Sequence, residues 1–293
     1  MAPFPSVGSR GVAPFHCLTF LTDYGLEDAF VAACHGVALR IAPETRIIDI
    51  THLVPPGDIR RGAAVLAQTV RYFPPAVHVA VVDPGVGTAR RGVAVAAGDS
   101  VFVGPDNGLL SWAVAEAGGA TEAVSLTNRA LWLDTATATF HGRDIFMPAA
   151  AYLAAGVPLA RAGDQLDVGG LVTLPRPASR ITEGRIDAEV LTVDRFGNAQ
   201  LSVTGPDAAR AGLTPGAAAT LAWASREQRI PFGATFGDVA AGELVCFQDS
   251  AGYIAIAVNG GNAARRLGLY PETLVTLTVT KKLACCVPFL SGA

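Results

Sequence analysis

The chain has 293 residues, 51% hydrophobic and 16% charged, with a formal net charge of -3. That balance excludes a disordered chain and leaves room for one large domain or two ordinary ones. No basic block is present, so nucleic acid is not an expected partner.

The first 14 residues carry Pro, Gly, Ser and a single Arg, with no apolar core. They read as a loose tail rather than a secretion signal. "HCLTFLTD" (16–23) predicts a buried strand, and "LEDAFVAACHGVALRIAP" (26–43) a helix stopped by a proline. "TRIIDITHL" predicts a second strand, and "DIRRGAAVLAQTVRYF" a second helix with an acidic cap. "VHVAVVD" follows as a third strand, then the strand pair "GVAVAAGDSVFVGPDNG" and the helix "GLLSWAVAEAG". Alternating strands and helices with near-continuous apolar strands predict an α/β fold. Its sheet should be mainly parallel and covered on both faces.

A break is expected at "LVTLPRPASRITEGR" (171–185), where two prolines fall and helical features fade. Beyond it, short alternating segments separated by Gly and Pro turns predict an all-β barrel or sandwich. The domains expected are therefore 15–175, α/β, and 185–285, a smaller all-β barrel. No stretch of about 18 apolar residues suggests a membrane span. The five cysteines, Cys17, Cys34, Cys246, Cys285 and Cys286, are scattered and form no C-x-x-C. They fit a reducing compartment, so a cytoplasmic protein is expected. No metal-ligand spacing is visible in the sequence.

Asp23, Asp49 and Asp83 each close a predicted parallel strand. Ligands of open α/β sheets bind beyond the carboxyl ends of the strands. Three acids gathered there would suit a polar small molecule with hydroxyl or cationic groups. The stretch "AVVDPGVGTARRG" (80–92) holds one of them. By itself it supports two readings, a solvated turn or a charged site.

Five stretches in order carry a family resemblance: "LTDYGLEDAFVAACHG", "VVDPGVGTARRG", "VGPDNGLL", "FHGRDIF" and "VDRFGN". The chain resembles the S-adenosyl-L-methionine (SAM) hydrolases, or SAM hydroxide adenosyltransferases, relatives of the fluorinase and chlorinase. The resemblance runs from about Cys17 to Leu283. It implies an α/β N-terminal domain, a C-terminal β-barrel and a homotrimer with ligand sites at subunit interfaces. The implied reaction is attack of water or hydroxide on ribose C5′ of SAM, giving adenosine and L-methionine, with no cofactor. By the same resemblance Asp83, Arg90 and His141 form the catalytic triad, and which of Asp83 and His141 is the base stays open. Asp23 matches an acid that accepts from both ribose hydroxyls. Asp28 matches an acid near the methionine end, or else reads as a first-turn helix acid. Asp194 matches a partner of the methionine ammonium, and Phe196 and Asn198 match adenine contacts. Phe140 and Phe236 are stacking faces or core. Ser250 and "NGGNAA", including Asn262 and Ala263, match a segment meeting the methionine carboxylate and the adenine.

The halogenating relatives have tyrosine at the position of Asp83, and the fluorinase has serine at that of Gly142. A carboxylate beside the nucleophile repels halide and welcomes water. A hydrolase is therefore expected before a chloride-using halogenase. A non-catalytic SAM or adenosine binder would not need the triad.

Overall fold

The computed structural model describes residues 15–280. The N-terminal tail, Cys285 and Cys286 lie outside them. The chain divides between Pro175 and Arg176 into two compact units.

The first unit is built on seven strands: β1 (Cys17–Thr22), β2 (Arg46–Thr51), β3 (Val77–Val81), β4 (Gly92–Ala97), β5 (Ser100–Pro105), β6 (Ala120–Ser125) and β7 (Asp164–Leu166). Their order is β2-β1-β3-β5-β4-β6-β7. The first four in that order run parallel, and β4, β6 and β7 pair antiparallel with their neighbours. The sheet is thus mixed, because the predicted strand pair closes as a hairpin of β4 and β5.

Period-two alternation covers both faces. Leu18, Phe20, Val77 and Val79 pack with α1 (Phe30–Ile41) and α4 (Met147–Ala154). Leu21, Ala80 and Phe102 point the other way, against α2 (Ile59–Val70) and α3 (Ser111–Glu116). Helix α2 starts as predicted, with the Asp58 carboxylate accepting from Arg61 N–H at 2.9 Å. Helix α1 starts later than predicted, since Ala29 at its N-cap offers no side-chain acceptor. Helix α4 escaped the sequence reading because all eight of its residues are buried. A helix that is apolar all round carries no periodic signal.

The second unit contains β8 (Ser179–Thr182), β9 (Arg185–Val193), β10 (Ala199–Thr204), β11 (Ala218–Trp223), β12 (Arg226–Pro231), β13 (Leu244–Gln248), β14 (Tyr253–Val258) and β15 (Leu274–Thr280). The sheet order is β12-β11-β15-β9-β10-β14-β13, with β8 added beside β9. A bridge between Phe232 and Cys246 brings the two edges together, so the antiparallel sheet is nearly closed. Strand β8 lies inside the predicted break, where an added strand was not expected. The unit is also not purely β. Short helices α5 (Gly205–Arg210) and α6 (Ala263–Leu267) interrupt it, capped by Thr204 and Asn262.

Candidate active site

Strand β3 ends at Val81, and a tight turn then carries the chain from Asp83 to Arg90. Gly87 takes a positive φ of 79°, and the amides of Val86 and Thr88 close on the carbonyls of Asp83 and Gly85. The turn folds Arg90 back onto Asp83. The guanidinium donates through Nε to Oδ1 at 3.1 Å and through Nη2 to Oδ2 at 2.5 Å. Both side chains are nearly buried, 9% and 5% exposed. Phe146 lies against the guanidinium, 5.2 Å from its ring centroid. Such a two-pronged pair fixes the charge and its direction.

His141 precedes a π-helical turn, Gly142–Phe146, that leads into α4. Arg90 Nη2 lies 3.0 Å from His141 Nδ1. Guanidinium can only donate, so Nδ1 is the acceptor and the neutral ring carries its proton on Nε2. Burial, and then the Arg90 charge, push the His141 pKa below its ordinary value, against smaller opposite pulls from Asp83 and Asp144. Both leading effects favour the neutral ring. Arg143 and Asp144 form an ion pair at 2.6 Å. Burial disfavours the Asp144 charge, but hydrogen bonds from Arg143 and Thr137 outweigh it and lower the carboxyl pKa.

A cavity of about 350 Å³ opens onto this cluster, lined by Asp23, Gly57, Asp83, Phe140, His141 and Gly142 among others. Asp23 follows β1, and its Oδ2 accepts from Gly57 N–H at 2.8 Å. A carboxylate has about four acceptor positions, so this bond leaves capacity for hydroxyl donors. Asp49 does not join Asp23 and Asp83. Strand β2 runs on to Thr51, and the register sets Asp49 opposite Phe20 rather than at the sheet's mouth. Asp28 is exposed and precedes the Ala29 cap of α1, whose first turn contains no acid. Its reading as a first-turn helix acid is therefore corrected. Phe140 packs edge-on against Tyr24 and Phe30 at 5.6 and 5.3 Å between centroids, with one side on the cavity.

Tyr24 was not singled out by the sequence reading, and the structure gives it a role at Gly142. A Cβ built on Gly142 would overlap the Tyr24 hydroxyl. Gly142→Ser is accordingly expected to expel the Tyr24 ring and destabilise the unit by about 1–3 kcal/mol. Adding Tyr24→Phe should restore part of the lost melting temperature. An unchanged melting temperature in Gly142→Ser would show that the ring does not depend on this gap.

The second unit assembles another set. Asp194 Oδ1 accepts from the amides of Phe196 and Asn198 at 2.9 and 2.8 Å, and Oδ2 from Asn198 Nδ2 at 2.7 Å. "DRFGN" is thus a turn whose acid holds its own backbone, and Phe196 projects from it, 76% exposed. The Gly197 carbonyl accepts from Ala264 N–H at 2.9 Å, and Asn262 packs against Gly197. Asp194, Phe196, Asn198, Asn262 and the buried Ala263 are therefore neighbours. Ser250 lies in the turn before β14, next to Asp249, whose Oδ2 accepts from Gln200 Nε2 at 2.6 Å. Phe236 is not core: it is half-exposed and touches Phe247 edge-on, with centroids 4.7 Å apart. A larger cleft of about 450 Å³ in this unit contains Asp187. That acid is already engaged by Arg185 and Thr276 and offers no comparable cluster.

Residues 18–163 match the SAM hydroxide adenosyltransferase N-terminal domain, and residues 188–276 match the C-terminal domain of the same family. The chain is 56% identical over 270 residues to an (R)-S-adenosyl-L-methionine hydrolase of Salinispora tropica, covering 91% of this chain and 99% of that one. It is 30% identical to a fluorinase of an Actinoplanes species, covering 90% and 97% of the two chains. A crystal structure of an uncharacterized conserved protein from Thermotoga maritima superposes with a TM-score of 0.84 at 36% identity, covering 89% of this chain and 99% of that one.

Proposed function

Because this chain belongs to the SAM hydroxide adenosyltransferase family, we propose that it hydrolyses SAM at ribose C5′ to adenosine and L-methionine. The observation that carries the reading is the buried Asp83–Arg90–His141 cluster at the wall of a cavity that also contains Asp23. The sulfonium makes methionine a neutral leaving group, so catalysis has to act on water. Arg90 supplies a fixed positive charge that favours developing hydroxide. His141, neutral and protonated on Nε2, donates a hydrogen bond and orients the water. Asp83 is then the group that accepts its proton, because each of its oxygens keeps a lone pair beyond the bond from Arg90. Water's oxygen bonds to C5′, the C5′–S pair leaves on sulfur, and the proton departs from Asp83 to solvent.

In this reading Asp23 holds the ribose, Phe140 flanks it, and Asp28 lies near the methionine end. Asp194 meets the ammonium, with Phe196, Asn198, Asn262 and Ala263 at the adenine. Ser250 belongs with the segment that meets the methionine carboxylate and the adenine, and Phe236 offers a stacking face. The homotrimer belongs to the reading too. The first-unit cavity supplies groups for ribose and water, while its lining contains none of the set around Asp194. The reading also takes the enzyme to be cytoplasmic; among the described residues no helix is long and apolar enough to cross a membrane.

The name of the Salinispora relative specifies the (R) sulfonium, so that epimer is taken as preferred. The test is incubation of each SAM epimer in oxygen-18-labelled water with mass spectrometry of the products. Label at the adenosine 5′-oxygen, faster from the (R) epimer, is expected. Tight binding without adenosine would leave a binding protein, and 5′-chloro-5′-deoxyadenosine formed in chloride buffer would indicate a halogenase.

A further inference from the structure

Outside the cavity, three side chains from separate segments converge on one point. His35 comes from α1, Asp49 from β2, and His52 from the residue after β2's end at Thr51. His35 Nε2 lies 2.8 Å from Asp49 Oδ1, and His52 Nε2 lies 3.1 Å from the same oxygen. All three atoms fall within 4.8 Å of one another. Phe20 stands beside both imidazoles, at 4.9 and 6.1 Å between centroids, and limits how far either ring can swing.

His52 makes this more than an ion pair. Its side chain is 2% exposed, and its Nε2 has no hydrogen-bond partner despite the nearby carboxylate. A buried polar nitrogen left unsatisfied destabilises the fold. Its Nδ1 is engaged, 2.8 Å from Thr22 Oγ1. That hydroxyl oxygen already accepts from Tyr24 N–H and has a second lone pair for a proton on Nδ1. In this tautomer the Nε2 lone pair faces Asp49, and a cation between them satisfies both. A histidine whose second nitrogen is fixed by an outer hydrogen bond is the usual form of a metal ligand.

We propose that His35, Asp49 and His52 bind a divalent transition-metal ion of the zinc type, with water completing its shell. Two imidazoles and one carboxylate suit zinc, cobalt or iron better than calcium or magnesium, which prefer all-oxygen shells. Metal bonds of about 2.1 Å separate neighbouring ligand atoms by roughly 3.0–3.4 Å, close to the two short edges seen here. Asp49 and His35 are 39% and 30% exposed, so ion and water can enter. The site has a structural consequence. His52 also accepts from Gly25 N–H through its carbonyl at 2.8 Å, so the ion clips α1 and β2 to the loop that carries Asp23.

The test uses untagged full-length protein, stripped of metal, with Cys285 and Cys286 changed to Ser to remove competing thiols. Titration with Co²⁺ should give visible d–d absorption saturating at one equivalent per chain, displaced by Zn²⁺, and Zn²⁺ should raise the melting temperature. His35→Ala and Asp49→Asn, both at accessible positions, should melt like the parent without metal and bind Co²⁺ more than about 100-fold more weakly. The opposite His52 tautomer, giving only a bent N–H···O contact, predicts no saturable absorption. That result, or equal affinity in the two variants, overturns the site. None of these readouts depends on hydrolase activity.

Discussion

Arg90→Ala is expected to lower kcat by about 10³-fold or more, because it removes the fixed positive charge that the proposed mechanism sets beside the attacking water. The same change should lower stability by about 3–5 kcal/mol, since Asp83 keeps a nearly buried charge without a partner. The two losses can be separated. In Asp83→Asn/Arg90→Ala the stranded charge is gone, so the melting temperature should recover in part while turnover stays absent. His141→Ala should also lose turnover, and it should keep SAM affinity within a few-fold because the proposed ribose contact, Asp23, is independent of the ring. Binding that falls in step with kcat in these variants would reassign the cluster to positioning of substrate.

Stability should fall by about 2 kcal/mol between pH 7 and pH 4.5 through His78 alone. Its ring is buried under the sheet, stacked on Phe102 at 4.9 Å, with Nδ1 2.8 Å from Thr19 Oγ1. Burial lowers its pKa from 6.5 to about 4. The native state thus keeps His78 neutral where the unfolded chain takes up a proton. Its contribution is complete above pH 6.5 and is lost as pH falls towards about 4. Urea unfolding of Thr19→Val/His78→Leu, which removes both polar partners, should show that slope reduced by about the same amount. An unchanged slope would assign the acid sensitivity to other groups.

The elements legible in the sequence were those with a local signature. β1, β3 and the β4–β5 hairpin follow from apolar runs, and α2 from its amphipathic spacing and Asp58 cap. Helix α4 has no polar face to set a period. Strand β8 sits among prolines, and its place is fixed by pairing with β9. Asp49 shows a further limit: it reads as closing a strand although the predicted apolar stretch continues past it, and in β2 it sits mid-strand opposite Phe20.

The sequence by itself determined the α/β-then-β order and the family, and through the family resemblance it singled out Asp83, Arg90 and His141 as candidates to act on water and Asp23 as a candidate for the ribose. The fold order follows from composition and local periodicity, and the candidates from the resemblance carried by five ordered motifs, all encoded in contiguous residues. Only the tertiary structure decided which nitrogen of His141 faces Arg90, the observation on which the proposed role of Asp83 as proton acceptor rests. It alone set Tyr24 against Gly142 and brought His35, Asp49 and His52 together. Those relations depend on register and helix packing between segments far apart in the chain, and no local pattern records the distance between them.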